Sequence, residues 1–494
     1  MKAIVRTAGF MALPLVMSML AGCAVGPDYL SPTIALRTHW SDDASRRPRQ
    51  SAVLLAQWWR RFNDPLLDEL IEQAVQGNLD VAAAKARIRE ARALQRQAVG
   101  ALFPQISGPA SATANRTGAG VATEGVGATT YNQFQAGFDS SWELDVFGAN
   151  RRAVESASYS VQASEDDLRA TLLTLVGDIA SYYIEARGYQ ARAALARRTA
   201  ASQRATAALT QKKLDAGSAS PVDNAKAVAQ AASTEATIPT HETSYKEAVH
   251  RLGVLLGRDP TALVSRMARA KAIPAPRLPL PKGIPADVLT MRPDVRKAER
   301  QLAQYTAKIG QAEAALYPDV SLSGSVSTTA LKLGDLGKTS TIGWSVGPSL
   351  SLPIFNGGKL RAAVEVAQAQ RDEYHVAWRS AVLTALEDVE NAVVSLAQER
   401  IRIRSLSEAA SRYGDAARLS RSLYESGSSS FLDVLDAERS QFSAEDSLLE
   451  SRANLARDYV ALGKALGGGW DGAIDSSKPE VVDAGMGPHL AAGQ

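Results

Sequence analysis

Residues 342–354 read IGWSVGPSLSLPI and alternate along their whole length. Every even position holds an apolar side chain or proline, and the odd positions hold Gly, Ser or Pro. Because successive side chains of a strand point to opposite faces, this predicts a strand with one apolar and one small polar face. Similar alternation predicts strands at 131–146, 319–330 and 341–354. A fourth strand, at 104–115, is predicted partly by symmetry between the two halves of the chain.

Four amphipathic strands leave two unpaired edges. A sheet that stands in lipid has to close on itself, and membrane barrels need at least eight strands. Three copies of the chain would supply twelve strands, with apolar faces toward lipid and Ser/Gly faces toward a wet lumen. The alternative interpretation is a soluble β-sandwich patch on a helical protein.

The chain is a tandem duplication, because short segments of the first half recur in the second half in the same order. The predicted repeats cover residues 63–270 and 286–469, with a Pro-containing linker at 271–285 and a flexible tail at 470–494. Three of the matched pairs are ALFP at 101–104 with ALYP at 315–318, LDVF at 144–147 with LPIF at 352–355, and AGSAS at 216–220 with SGSSS at 426–430.

Each repeat also contains a long proline-free stretch with apolar residues at alternating steps of four and three, which is a coiled-coil seam. At 1.5 Å per residue, each of these helices would be roughly 100 Å long. The predicted helices are 149–216 and 221–257 in the first repeat, and 293–316, 359–425 and 431–466 in the second.

Each long helix is predicted to stop at a tight tip. Gly217 and Gly427 suit the left-handed residue past a helix end. Ser220 and Ser430 then suit the N-cap of the returning helix, and Asp433 occupies the acidic position of a capping box.

The first 22 residues have the charge and the short apolar run of a secretory signal, too short to span a bilayer. They precede Cys23, the only cysteine, in the context Leu-Ala-Gly-Cys, which resembles a bacterial lipobox. We therefore predict that Cys23 is the lipidation site and that residues 23–62 form an extended, lipidated N-terminal segment.

Other classes of function find little support. The net charge of +3 is spread evenly, so nucleic acid is not an expected partner. The five histidines show no metal-ligand spacing. Residues 356–359 (NGGK) resemble a phosphate loop but lack its first glycine and its final Ser or Thr. We expect neither catalytic residues nor a metal or other cofactor.

Five further motifs follow one another along the chain: CAVGPDYLSP at 23–32, WW at 58–59, WELDVFGAN at 142–150, RPDVRKAER at 292–300 and FLDVLDA at 431–437. Taken in this order, they resemble the TolC-like outer-membrane factors of tripartite efflux pumps, in the lipoprotein branch that serves resistance-nodulation-division (RND) transporters.

The resemblance implies a mixed α and β membrane protein. Its homotrimer would form a twelve-stranded outer-membrane β-barrel, four strands per chain, continued by an α-helical coiled-coil barrel in the periplasm. The implied partners are a periplasmic adaptor (membrane fusion) protein, an inner-membrane RND transporter and outer-membrane lipid through acylated Cys23.

The same resemblance implies a periplasmic gate near the second tip. Its candidate residues are Leu432, Asp433, Asp436, Arg439 and Tyr424, although helix capping alone would explain Asp433 and helix packing alone would explain Tyr424. Candidate adaptor-docking residues at the tips are Gly217, Ser218, Ser220, Gly427, Ser428 and Ser430.

The leading interpretation is an exit duct for small toxic compounds such as drugs. A duct for metal ions or for type I protein secretion stays open within the transport class. A structural bridge from the outer membrane to the periplasm is the alternative outside it.

Overall fold

The computed structural model describes residues 24–33, 57–117, 129–276 and 292–478. The signal segment, Cys23, most of the predicted linker and the end of the tail lie outside these residues. The chain divides into two compact units. The first contains Ile88–Ser164, Lys297–Trp378 and the segment ending at Thr33, and the second contains the remainder.

The helices and strands recur in the two halves with equal or similar lengths. Helices α2 and α6 have 22 residues each, α3 and α7 have 67, and α4 and α8 have 35. The helices are α1 (Pro65–Gly77), α2 (Leu79–Gly100), α3 (Ala149–Asp215), α4 (Pro221–Leu255), α5 (Val264–Met267), α6 (Pro293–Ala314), α7 (Lys359–Glu425) and α8 (Phe431–Ala465). The strands are β1 (Gln105–Ser107), β2 (Ala110–Arg116), β3 (Thr130–Glu143), β4 (Asp319–Ala330) and β5 (Ile342–Ser351).

The first unit contains one antiparallel sheet in the order β1-β3-β4-β5, with β2 also paired to β3. The strand predicted at 104–115 is therefore broken into two pieces that share one partner. Pro109 lies in the break and has no N–H to donate, but its carbonyl still accepts from Gly137 N at 3.1 Å. Strand β5 ends at Ser351, short of the predicted 354, where Pro353 again removes a donor.

The two faces of this sheet differ in polarity. Serines of β4 and β5 face each other across the strand pair, with Ser321 and Ser349 hydroxyls 2.7 Å apart and Ser325 and Ser345 hydroxyls 2.9 Å apart. The opposite face is apolar yet open to solvent in the single chain, and Trp344 is 77% exposed there. This supports the predicted division of the strands into apolar and polar faces.

The passage from β3 into α3 is built around Asp145. Its φ of 43° and that of Gly148, 86°, turn the chain sharply. The Asp145 carboxylate then accepts from the backbone N–H groups of Asn150 at 2.8 Å and Arg151 at 3.0 Å. These bonds satisfy donors at the start of α3, which explains this part of the WELDVFGAN motif.

The segment that follows Cys23 is held against the first unit by Arg152. Its guanidinium donates to the carbonyls of Val25 and Gly26, both at 3.1 Å, and to Asp28 at 2.8 Å. The backbone at Gly26 approaches so closely that an added Cβ would lie 2.2 Å from the Cα of Gly310. The described residues after Cys23 are thus fixed to the protein surface.

The core of the second unit contains an aromatic cluster that includes both ends of its described part. Residues 58–62, predicted to be extended, instead form a 3₁₀ helix. Trp58 and Trp59 are buried, and the Trp58 indole donates to the carbonyl of Gly468 at 2.8 Å. Trp470, predicted to start the flexible tail, stacks on Trp59 at 6.5 Å between ring centroids. Both predictions are corrected by the burial of these large aromatic surfaces.

In the second unit, α3 packs against α4 and α8, while α8 packs against α7. Arg204 of α3 binds Glu235 of α4 through two contacts, at 2.7 and 2.5 Å. Arg192 of α3 binds Asp446 of α8 through two contacts of 2.7 Å. Ala410, Ala444 and Leu448 form an apolar cluster between α7 and α8. Near the tips α7 also contacts α3, through Arg421 and Ser202, and α4 also contacts α8, so the four helices pack together.

The RPDVRKAER motif begins with a buried arginine that joins three helices. The Arg292 guanidinium binds Asp294 at 2.7 Å, Asp388 of α7 at 3.0 Å and the carbonyl of Ala465, the last residue of α8, at 2.9 Å. Loss of this side chain would remove the guanidinium from two carboxylates and from a helix-end carbonyl, and Asp294 would keep only the backbone N–H of Val295.

Across the described ranges, the helices lack any segment with the combined length and apolarity required to cross a bilayer.

Candidate functional site at the helical tips

The two tips turn through the same hydrogen-bond pattern. After α3, Gly217 has φ 72° and donates to the carbonyl of Leu214, while Ser218 N donates to that of Lys213. After α7, Gly427 has φ 80°, and Gly427 and Ser428 make the corresponding two bonds. This is the Schellman motif, which needs a residue that tolerates positive φ.

The returning helices are capped differently. Ser220 accepts from Val222 N at 3.1 Å, and Pro221 occupies the first position of α4. At the second tip, Ser430 and Asp433 form a complete capping box. The first tip is thus closed by a single serine cap and proline, and the second by a reciprocal pair.

Asp433 has more hydrogen bonds than a capping box requires. Its Oδ2 accepts from the Ser429 hydroxyl at 2.6 Å, the Ser430 hydroxyl at 2.9 Å and Ser430 N at 3.1 Å. The donation from Ser429, followed by that from Ser430, lowers the pKa of Asp433 below its ordinary value. The capping explanation for this residue therefore rests on observed bonds.

A small apolar core lies directly behind the tips and draws on all four helices. Tyr424 and Phe431 pack edge to face with ring centroids 5.7 Å apart. Val434 is completely buried beside them, together with Ala207 and Ala227. Tyr424, a predicted gate residue, is thus a buried packing residue in the single chain.

Lys213 links the end of α3 to the end of α7. Its ammonium donates to the carbonyl of Tyr424, lies 3.4 Å from that of Glu425, and sits 4.5 Å from the centre of the Tyr424 ring. These carbonyls belong to the last turn of α7, where the helix dipole favours a cation. Sequence reasoning missed this contact, because the partners of Lys213 lie on another helix and no local motif marks it.

A charged network lies just beyond this core. Glu438 is buried and accepts from Arg421 of α7 and, at 2.9 Å, from the Thr206 hydroxyl of α3. Arg421 also donates to Ser202 at 2.7 Å. The network joins three helices at one level. Sequence reasoning missed it, although Phe431, Val434 and Glu438 share one helical stripe, which places Glu438 on the buried face.

The other predicted gate residues remain on the surface of the single chain. Leu432 is 60% exposed, and Asp436 and Arg439 are exposed as well. Within the described part of the chain, Asp436 and Arg439 form no ion pair with each other. Gly217, Ser218, Ser220, Gly427, Ser428 and Ser430, the predicted docking residues, are all exposed.

No described part of the chain gathers three or more His, Cys, Asp or Glu side chains in a cluster that could hold a metal ion. Cys23, the predicted lipidation site, lies outside the described residues. The tips therefore present exposed small residues, the exposed apolar side chains of Val222, Leu423 and Leu432, and exposed carboxylates over a packed core.

Comparison with known proteins places this arrangement in a family. The family described as outer membrane efflux protein matches the chain twice, over residues 70–258 and 284–468. The two matches correspond to the two halves of the duplication.

Individual relatives match nearly end to end. Nodulation protein T of Rhizobium leguminosarum bv. trifolii is 36% identical over 462 residues, covering 93% of this chain and 97% of that protein. The toluene efflux pump outer membrane protein TtgI of Pseudomonas putida is 31% identical, covering 93% of this chain and 98% of that protein. The solved outer-membrane channel OprN aligns with a TM-score of 0.84 at 36% identity, covering 91% of this chain and 100% of that chain.

Proposed function

The chain belongs to the outer membrane efflux protein family, and from this premise we propose that three copies form a channel whose tips open and close. The protein is an outer-membrane efflux component, with the mixed α and β fold of outer-membrane channels. The fold class predicted from the sequence is confirmed at this level.

The observation that carries the proposed assembly is the sheet in the first unit. It has an exposed apolar face and a serine-rich face, and its outer edges are unpaired among the residues that the structure describes. Backbone groups at such edges cannot remain unpaired in hydrocarbon. Since each chain supplies four strand positions, counting the broken β1/β2 as one, three chains supply the twelve strands of a closed barrel.

In the trimer the exposed residues of the second tip surround the axis. Leu432 forms an apolar constriction, and Asp436 of each chain contributes a carboxylate to a ring beside it. Asp433 supports the ring by holding the start of α8, and Tyr424 keeps the tip packed. Such a ring attracts cations and opposes passage of anions.

The exposed glycines and serines of both tips form the docking surface for a periplasmic adaptor, and an inner-membrane RND transporter drives the export. The cargo is small and toxic, and by analogy with the toluene efflux relative it includes apolar solvents. Acylated Cys23 anchors the chain in outer-membrane lipid.

The test of the assembly is the purified full chain in detergent, measured by native mass and then by conductance in planar lipid bilayers. We expect a trimer that conducts. A monomer that stays in solution without detergent contradicts the proposal. A deletion strain should in turn become more sensitive to a panel of toxic compounds.

The acid gate has its own test. We expect the double variant Asp433→Ala/Asp436→Ala to conduct more at rest and to lose block by multivalent cations. The matched control is Asp415→Ala, which removes an exposed acid of α7 about 15 Å from the tip. Unchanged conductance and unchanged block would reject the gate while leaving the channel intact.

A further inference from the structure

Two tyrosine rings in the first unit are stacked face to face with their hydroxyl groups together. Tyr305 of α6 and Tyr374 of α7 have ring centroids 3.9 Å apart and ring planes inclined by 18°. The Tyr374 hydroxyl donates to that of Tyr305 at 3.2 Å. Aromatic pairs in proteins usually keep their centroids about 4.5–7 Å apart, so this contact is unusually close.

This stacking brings matching carbon atoms of the two rings into contact. The hydroxyl ends lie closer together than the ring centres, and the planes are nearly parallel. The ortho carbons, which flank each hydroxyl, therefore face the ortho carbons of the other ring. These are the carbons that share the unpaired electron of a tyrosyl radical, so two radicals held in this way are placed to form a carbon–carbon bond.

The surroundings of the pair favour coupling within the chain. The ammonium of Lys308 lies 3.9 Å from the centre of the Tyr305 ring, and it covers the second face because Tyr374 fills the first. Both tyrosines are half-buried, so a small reagent reaches them. The hydrogen bond to Tyr305, and then burial, raises the pKa of Tyr374 to about 12. Oxidation of Tyr374 at neutral pH therefore removes a proton together with the electron.

A second tyrosine pair in the same unit has a different geometry. Tyr29 and Tyr159 meet edge to face, with ring centroids 5.8 Å apart and planes inclined by 65°. The Tyr29 hydroxyl donates to Glu299 at 2.8 Å. Since the ortho carbons of these two rings do not face each other, this pair is an internal comparison for the first.

We propose that Tyr305 and Tyr374 are an oxidative cross-linking site, at which hydrogen peroxide and a one-electron catalyst such as a haem peroxidase join the two ortho carbons. Each phenol loses one electron and one proton, and the two radicals couple. Each ring then moves its ortho hydrogen to oxygen and becomes a phenol again. The peroxide accepts the two electrons and two protons and becomes two molecules of water.

The bond would close a covalent loop around two strands of the sheet. Tyr305 lies in the helix that precedes β4, and Tyr374 lies in the helix that follows β5. The two positions are 69 residues apart in sequence, and a loop of this length restricts the unfolded chain. Cys23 is the only cysteine, so no disulfide can close such a loop within the chain. Outside the inner membrane the surroundings of the protein are oxidising, which suits a link of this kind.

The test treats the purified full chain in detergent with a haem peroxidase and hydrogen peroxide, followed by trypsin digestion and mass spectrometry. We expect peptide 301–308 (QLAQYTAK) joined to peptide 372–379 (DEYHVAWR), at the sum of their masses less two hydrogen atoms. Each peptide contains a single tyrosine, which identifies the linked residues. On a denaturing gel the linked product should migrate as one chain.

The control variants keep the shape of the stack. Tyr305→Phe and Tyr374→Phe each retain a ring but remove one phenol, so both should lose the linked peptide completely. Tyr29→Phe is the matched control and should retain it. Absence of the linked peptide from the unaltered chain would overturn the proposal, as would equally ready linkage of Tyr29 to Tyr159. Covalent dimers that disappear in either of the first two variants would place the coupling between chains and would also overturn it.

Discussion

The long helices α3 and α7 have the same length and end in the same turn, yet they differ in their surroundings. In the second unit, α3 lies between α4 and α8, and none of its large apolar side chains is exposed along the whole described helix. Helix α7 has a neighbour on one side and exposes a row of large apolar residues on the other. The two copies of the duplicated helix thus differ in exposure: the large apolar side chains of α3 are covered, whereas α7 leaves a row of them exposed.

The largest expected difference concerns stability. Ile179→Ala in α3 removes a fully buried side chain and should lower the free energy of unfolding by about 2–5 kcal/mol. Leu383→Ala in α7 should change unfolding of the separated chain by less than about 0.5 kcal/mol but weaken the trimer. Urea unfolding followed by circular dichroism, together with native mass, measures both quantities. If both variants lost the same free energy of unfolding in the separated chain, the proposed difference between α3 and α7 would be contradicted.

Two arginines of α7 test the buried network. Arg421→Ala leaves the buried Glu438 carboxylate without its guanidinium and should cost about 1–3 kcal/mol of unfolding free energy. The control is Arg418→Ala, whose exposed ion pair with Asp415 should contribute at most about 1 kcal/mol. Denaturant titrations measure the free energy of unfolding of both variants. Similar decreases in the two variants would show that the buried network contributes little to stability.

The tip glycines provide a test in which the two repeats should agree. Gly217→Ala and Gly427→Ala each force an L side chain into positive φ, which should cost about 1–2 kcal/mol. No neighbouring atom lies within 4 Å of either added Cβ, so backbone strain is the only cause. Hydrogen exchange at the tips measures the loss, and clearly unequal losses would mean that the two turns are not equivalent.

The smallest expected effect depends on pH. Burial, and then the charge of Arg192, lowers the pKa of His241 below 6.5, whereas Asp446 raises it less. The unfolded chain therefore binds more protons as the pH falls below 6.5, and folded stability decreases until the folded pKa is reached. His241→Gln should flatten this part of the pH profile of thermal unfolding. An unchanged slope would assign the dependence to other groups.

The sequence predicted much of this fold because its signals are local. Heptad spacing without proline marks α3 and α7, glycine marks their ends, and strict alternation marks β5. The break between β1 and β2 was missed because symmetry with the second half suggested one continuous strand. The stacking of Trp470 on the buried Trp59 was missed because the two residues pair across nearly the whole chain.

The site was predicted less completely than the fold. Ser430 and Asp433 were found because capping depends on residues three apart. Lys213 and Glu438 were not, because their partners lie on other helices and neither residue belongs to a local motif. Asp436 and Arg439, named as gate candidates from the resemblance, form no ion pair with each other among the described residues, and an exposed pair of this kind would contribute little.

The stacking of Trp470 on Trp59 has a consequence for the order in which the two halves of the chain can be connected. The Gln57 side chain also donates to Asp471 at 2.7 Å, so the beginning and the end of this unit's described part meet at one point. A short linker could therefore connect residue 57 to residue 471. Circular permutants that join these ends and open the chain between the two halves would place the second half first while keeping every helix pairing within the unit.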